Sequence, residues 1–258
     1  MTLSTVYLGI DVACRKGGRL PLCVVSNGAK VEPLEIPKHL HSLVPRGVGN
    51  QEIVADSPFR DAARGVAQAI RQIATEERWH IERIAIDAPA APPAAGARSA
   101  EDDLGRCGLS SFRTPTESDW PKIREACTEH LKASGKVARL PHANKIWMLF
   151  GFELFKALRQ GFNAEIIEVY PFAIVRALLP QCEHKKTEQG YQDQLAAIAC
   201  RTGWAPITLA ERLKTVVPGS KDDRLDAFMS AWVASLSPDR RRAYGNPEAP
   251  DDAIWIPV

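Results

Sequence analysis

Residues 5–87 constrain the fold more than any other stretch, because their periodicity changes in a fixed order. "TVYLGIDV" (5–12) is rich in β-forming residues and carries Asp11 at the end of its apolar run. "LPLCVVS" (20–26) and "AKVEPLEIP" (29–37) follow, separated by Asn27-Gly28, a strong hairpin signal. Residues 56–78 then change period: after an Asp-Ser-Pro start, Ala63, Val66, Ala67, Ile70, Ile73 and Ala74 recur at helical spacing. "IERIAID" (81–87) is again a strand, and it stops at Asp87. Strands joined by short turns pair antiparallel, whereas a strand reached through a helix pairs parallel. The order β-β-β-α-β therefore predicts a mixed sheet, with the fourth strand parallel to the first and beside it.

After Asp87 the pattern breaks into Pro, Ala and Gly, and residues 88–140 read as an insertion over the carboxyl edge of the sheet, with one helix near 121–134. Helical patterns return at 142–160, 187–203, 207–217 and 220–237. "AEIIEVYP" (164–171) reads as a further strand, and "DAIWIPV" (252–258) as a terminal strand or extended tail. With no internal repeat and no long linker, residues 1–258 are expected to form one domain carrying the 88–140 insertion.

The totals exclude little. The 33 basic and 31 acidic residues nearly balance, so net charge argues for neither a nucleic-acid nor a membrane partner, although a local basic groove stays open to it. No apolar stretch approaches a membrane span, and the first residues read as a strand rather than a signal peptide. The six cysteines form no Cys-x-x-Cys pair, which disfavours zinc and predicts reduced thiols in a cytoplasmic protein.

The carboxylates carry the functional expectation. Asp11 and Asp87 each end an apolar strand, Glu168 lies at the end of a third, and Asp223 and Asp226 share one face of the last helix. If the first and fourth strands are neighbours, Asp11 and Asp87 project at one sheet edge, and the last helix can bring Asp223 and Asp226 to the same point. Such a cluster repels itself unless cations neutralise it, and oxygen-only ligands favour Mg²⁺ or Mn²⁺. Asp11, Asp87, Asp223 and Asp226 are the expected metal ligands, with Glu168 added as a catalytic candidate.

The ordered set "LGIDVA", "IAIDAP", "LGRCGLSSFRTP" (104–115), "IIEVYP", "KKTEQG" (185–190) and "DDRLDAFMSAW" (222–232) resembles a family of predicted ribonuclease-H-like nucleases, known mainly as a domain of unknown function. The resemblance covers nearly the whole chain. It implies a ribonuclease-H-like α/β fold, with three antiparallel strands followed by helix-linked parallel ones. The Asp-x-x-Asp-Ala pattern at 223–227 is also similar to the last-helix motif of Holliday-junction resolvases. The turn "VACRKGGRLP" is longer and more basic than such a family suggests.

The expected activity is hydrolysis of a nucleic acid by a metal-dependent nuclease. Two alternatives stand beside it: an actin-like ATP-dependent phosphotransferase, and a catalytically silent binding module. The first would need a Gly/Thr-rich phosphate hairpin and a second domain copy, and neither is visible. Lys185, Lys186, Arg98 and Arg106 are the candidate substrate-binding residues, each weighed against plain solvated charge, as is Arg113. Asp222 and Asp223 also suit a helix cap, which Asp226, one turn further in, does not. Glu168 fits an edge-strand position equally well. The aromatic set Trp147, Phe150, Phe152 and Phe155 reads as core, and the "DRRR" run at 239–242 as solvent-exposed.

Overall fold

The computed structural model describes residues 3–12, 15–55, 57–110, 112–183 and 185–258. One seven-stranded mixed sheet runs through them in the order β3-β2-β1-β4-β5-β7-β6. β1 (Ser4–Asp11), β2 (Leu22–Asn27) and β3 (Val31–Leu34) form the antiparallel meander. After helix α1 (Ser57–Glu76), β4 (Trp79–Asp87) lies parallel to β1. β5 (Glu165–Val169) and β7 (Ala253–Pro257) extend the parallel part, and β6 (Arg241–Gly245) closes the edge antiparallel to β7.

The remaining helices are α2 (Ser99–Arg106), α3 (Asp119–Lys132), α4 (Ala143–Gly161), α5 (Pro171–Leu178), α6 (Glu188–Thr202), α7 (Pro206–Val216) and α8 (Lys221–Ser235). None among the described residues is long and apolar enough to cross a membrane. Cys23, Cys107, Cys127, Cys182 and Cys200 are free thiols; Cys14 and Asp56, the first residue of the helix start signal, lie outside the described residues.

Two elements depart from the sequence reading. α2 lies within 88–140, where irregular chain was expected. Its first turn is held from far away: the Ala100 amide donates to Asp252 Oδ1 at 3.1 Å and Ser99 Oγ to Asp252 Oδ2 at 2.5 Å. β6 begins inside the arginine run expected to face water. Arg241 is buried there, donating to both oxygens of Glu165 at 3.1 and 2.9 Å and lying over the Trp255 ring at 4.4 Å. Asp252 is far from α2 in sequence and Glu165 far from β6, so neither of these contacts has a local signature.

Strand alternation sorts the core into two layers. Leu8, Ile10, Ile84, Ile86 and Ile166 join a core with Val66, Ile70, Phe152 and Phe155 from α1 and α4. Ala85, Ile167 and Val169 join the opposite core with Ala227, Phe228 and Trp232 of α8. On this second face β1 presents Tyr7, Gly9 and Asp11, and Gly9 lies under the helix. A Cβ on Gly9 would lie 2.1 Å from the Ala227 carbonyl oxygen and 2.2 Å from the Ala231 nitrogen. The small face of α8 therefore rests directly on the backbone of the strand that ends in Asp11. Gly9→Ala should push α8 off the sheet, costing about 1–3 kcal/mol and lowering Tm by roughly 2–12 °C. Thermal unfolding checks this; a wild-type Tm would mean that α8 does not depend on the contact.

Candidate functional site

Register brings the first two carboxylates together. Asp11 and Asp87 are paired across β1 and β4, the last pair of that parallel ladder, so both side chains project on the α8 face of the sheet. Asp226 immediately precedes Ala227, which sits on Gly9, so the close approach of α8 delivers it to the same place. One oxygen from each of Asp11, Asp87 and Asp226 lies within 4.8 Å of the others, and the three could hold a metal ion. Asp11 and Asp87 are half-buried, and Asp226 is 4% exposed.

Asp223, one turn earlier, stands at the rim. It forms a capping box with Ser220, accepting from the Ser220 amide at 2.9 Å while its own amide donates to Ser220 Oγ at 3.3 Å. The cap and the cleft both use this residue, and it lies outside the close triad. Lys185 is brought in: its ammonium donates to Asp226. Lys186, next to it, is exposed and does not line the cleft.

The open cleft over the triad has a volume of about 450 Å³. Its charged lining is Asp11, Asp87, Asp223 and Asp226 against Arg15 and Lys185, an imbalance equal to one divalent cation. Burial, then repulsion from Asp226, Asp87 and Asp223, holds the Asp11 carboxyl well above its ordinary value. Burial and then Asp226 do the same to Asp87. Burial also raises Asp226, against the pull of Lys185, whose own ammonium is held more basic than usual by Asp226 despite burial.

These shifts make a metal-free stability prediction. Below the ordinary aspartate value of 3.8 both folded and unfolded chains keep these protons, and the cluster costs nothing. As pH rises past 3.8 the unfolded chain ionises first, so the folded state binds more protons and stability falls until the raised values are passed. Tm of chelator-treated protein should therefore decline with rising pH across this window, and Mn²⁺ should flatten the decline at its upper end. A Tm that climbed with pH and ignored Mn²⁺ would contradict the arrangement.

Glu168 goes elsewhere, for a reason of parity. It pairs with Ile86, not Asp87, so its side chain points to the opposite face. There it is 3% exposed and accepts from Arg98 Nη1 at 2.8 Å, Arg98 Nη2 at 2.6 Å and the Ala90 amide at 2.8 Å. Burial raises its pKa, while Arg98 opposes the rise. Arg98, considered above as a substrate contact, is only 3% exposed; it also meets Glu101 at 3.7 Å and the Asp251 carbonyl at 2.8 Å. The Thr114 amide and hydroxyl donate to Glu101 and complete the network. Arg106 is exposed, paired with Asp103 and away from the cleft, and Arg113 pairs with Asp102 at 2.8 Å.

Arg15, Asn50, Phe112, Trp147 and Tyr170 line the cleft without having been singled out as site residues. Phe150, Phe152 and Phe155 are buried as expected, but Trp147 is half-buried and faces the cleft four residues after Ala143, which also lines it. Its position near the start of α4, where that helix leaves the core, was the available signal.

Fold and site together define a mixed α/β protein with an acidic triad built from the ends of two adjacent parallel strands and helix α8. The chain belongs to the family described as protein of unknown function (DUF429), whose model matches residues 9–249. No curated protein and no solved structure matches it.

Proposed function

We propose that the protein is a metal-dependent nuclease of ribonuclease-H-like type, hydrolysing phosphodiester bonds of a nucleic acid. The observation that carries this reading is the convergence of Asp11, Asp87 and Asp226 in a cleft with two uncompensated negative charges. The donor set is all oxygen, which suits Mg²⁺ or Mn²⁺. Asp11, Asp87 and Asp226 would hold the ion, which when bound supplies Lewis-acid polarisation of the phosphate and a more acidic water. Lys185 and Arg15, on the cleft wall, are the groups that would hold the polyanion in place. In the hydrolysis a water oxygen gives up a proton and bonds to phosphorus, the bond from phosphorus to the leaving sugar oxygen breaks, and that oxygen takes up a proton. A cytoplasmic setting suits the free thiols.

The Lys185–Asp226 pair favours one competing reading, a silent module whose tethered ammonium permanently takes the cation's place. Calorimetry with Mn²⁺ at neutral pH separates the two. A nuclease takes up Mn²⁺ and cleaves labelled DNA or RNA oligonucleotides, losing activity in chelator. Absence of Mn²⁺ uptake would leave the silent module standing.

A further inference from the structure

The wall of the cleft facing the acids is aromatic. Phe112 and Tyr170 have ring centroids 5.6 Å apart, Phe112 and Trp147 6.2 Å apart, and all three rings are half-buried. Tyr170 lies just past the end of β5, the strand next to Asp87, so the sheet itself sets its distance from the triad. The row continues outward to Phe172, 42% exposed and 5.9 Å from Tyr170. Interior aromatics of this protein, such as Phe155 and Phe228, are fully buried; Phe112, Trp147 and Tyr170 instead keep part of their surface exposed and line the cleft that holds the carboxylates.

A second groove, of about 620 Å³, is lined in part by residues that follow Phe112 in the chain. Arg113, Lys122, His142 and Lys145 contribute to its lining, with Asp119 as its acidic member. Lys145 joins the two spaces, its ammonium 4.3 Å from the Phe112 ring centroid.

We infer that this cleft selects a single-stranded polynucleotide, stacking an unpaired base on the Phe112–Trp147–Tyr170 wall while the flanking backbone runs along the basic groove. Resting on the nuclease reading, the inference names the substrate of that site. Bases in a duplex already spend their faces on each other, so only an unpaired base can offer one to a protein ring. Stacking is indifferent to base identity and to the sugar, so DNA and RNA strands both qualify. Asp11, Asp87 and Asp226 would then meet the phosphate attached to the stacked nucleoside.

The test is equilibrium binding in chelator, where cleavage cannot intrude. The probes are a fluorescein-labelled oligothymidylate and an abasic strand of equal length and charge. Wild type should prefer the base-bearing strand by about 5- to 150-fold. Trp147→Ala should collapse that preference while leaving abasic-strand affinity unchanged, and Trp147→Phe, which keeps a ring, should retain most of it. Lys122→Ala should weaken both strands alike and reduce the salt dependence by about one unit of slope. Equal wild-type affinity for the two strands, or a preference untouched by Trp147→Ala, would overturn the inference. If the base preference holds but Mn²⁺ supports no cleavage of either strand, the nuclease reading falls and the stacking wall stands. If Mn²⁺ supports cleavage of duplex and single strand at equal kcat/KM, the reverse is true.

Discussion

Asp87→Asn should abolish Mn²⁺ uptake and strand cleavage together while making the metal-free protein more stable. The substitution keeps the shape of a side chain paired with Asp11 at the end of the β1–β4 ladder, and removes one negative charge from a cluster that burial and mutual repulsion already hold above its ordinary pKa. Loss of a direct ligand should lower metal affinity and activity by on the order of 10²-fold or more, since even indirect supports of a metal site cost about 10–100-fold. Removing the repulsion should raise the stability of chelator-treated protein at neutral pH, since burial and then Asp226 both disfavour a charge at this position. Scanning calorimetry measures the gain as a rise in Tm. A variant that bound Mn²⁺ as wild type does would remove Asp87 from the site. The same experiment on Asp226 is less clean, because Asp226→Asn also strips Lys185 of its partner.

Glu168→Gln should do the opposite, lowering stability by about 3–5 kcal/mol and leaving Mn²⁺ affinity unchanged. The carboxylate accepts a bidentate guanidinium contact inside the protein, with both partners about 3% exposed. Neutralising one side leaves Arg98 short of its main counter-charge in a place water does not reach. Replacing both, as Arg98→Met with Glu168→Leu, should recover little of the loss, because it leaves the buried Glu101 without its counter-charge and the Ala90 amide without an acceptor. Urea unfolding measures both variants. If Glu168→Gln lost Mn²⁺ binding at unchanged stability, Glu168 would belong to the metal site after all.

The contrast between these two acids shows what the sequence made legible. Asp11 and Asp87 were readable because each ends an apolar strand, and the β-β-β-α-β order makes those strands parallel neighbours. Asp226 was readable because it lies too far into its helix to serve as a cap. Glu168 looked equivalent, yet a register one residue short sends it to the other face of the sheet, and register between distant strands has no local signature. Arg98 followed it, since an arginine in a Pro/Ala/Gly segment looks solvated until its buried partner is known. α2 and β6 were missed for the same reason, as each is held by a side-chain partner distant in sequence. The aromatic wall needed the third dimension altogether, joining Phe112, Trp147 and Tyr170 from three separate segments.

The contact of α8 with Gly9 also has a kinetic side. The triad joins residues 11, 87 and 226, so it exists only once loops of the greatest sequence separation have closed. A chain that has formed only β1 to β4 holds two of the acids and no complete site. Occupancy by a divalent ion then reports whole-fold assembly rather than local order. By mass action it draws against partial opening of α8, with a protection that grows with the logarithm of ion concentration over Kd. Hydrogen exchange along α8, followed as Mn²⁺ is raised, would read that coupling residue by residue.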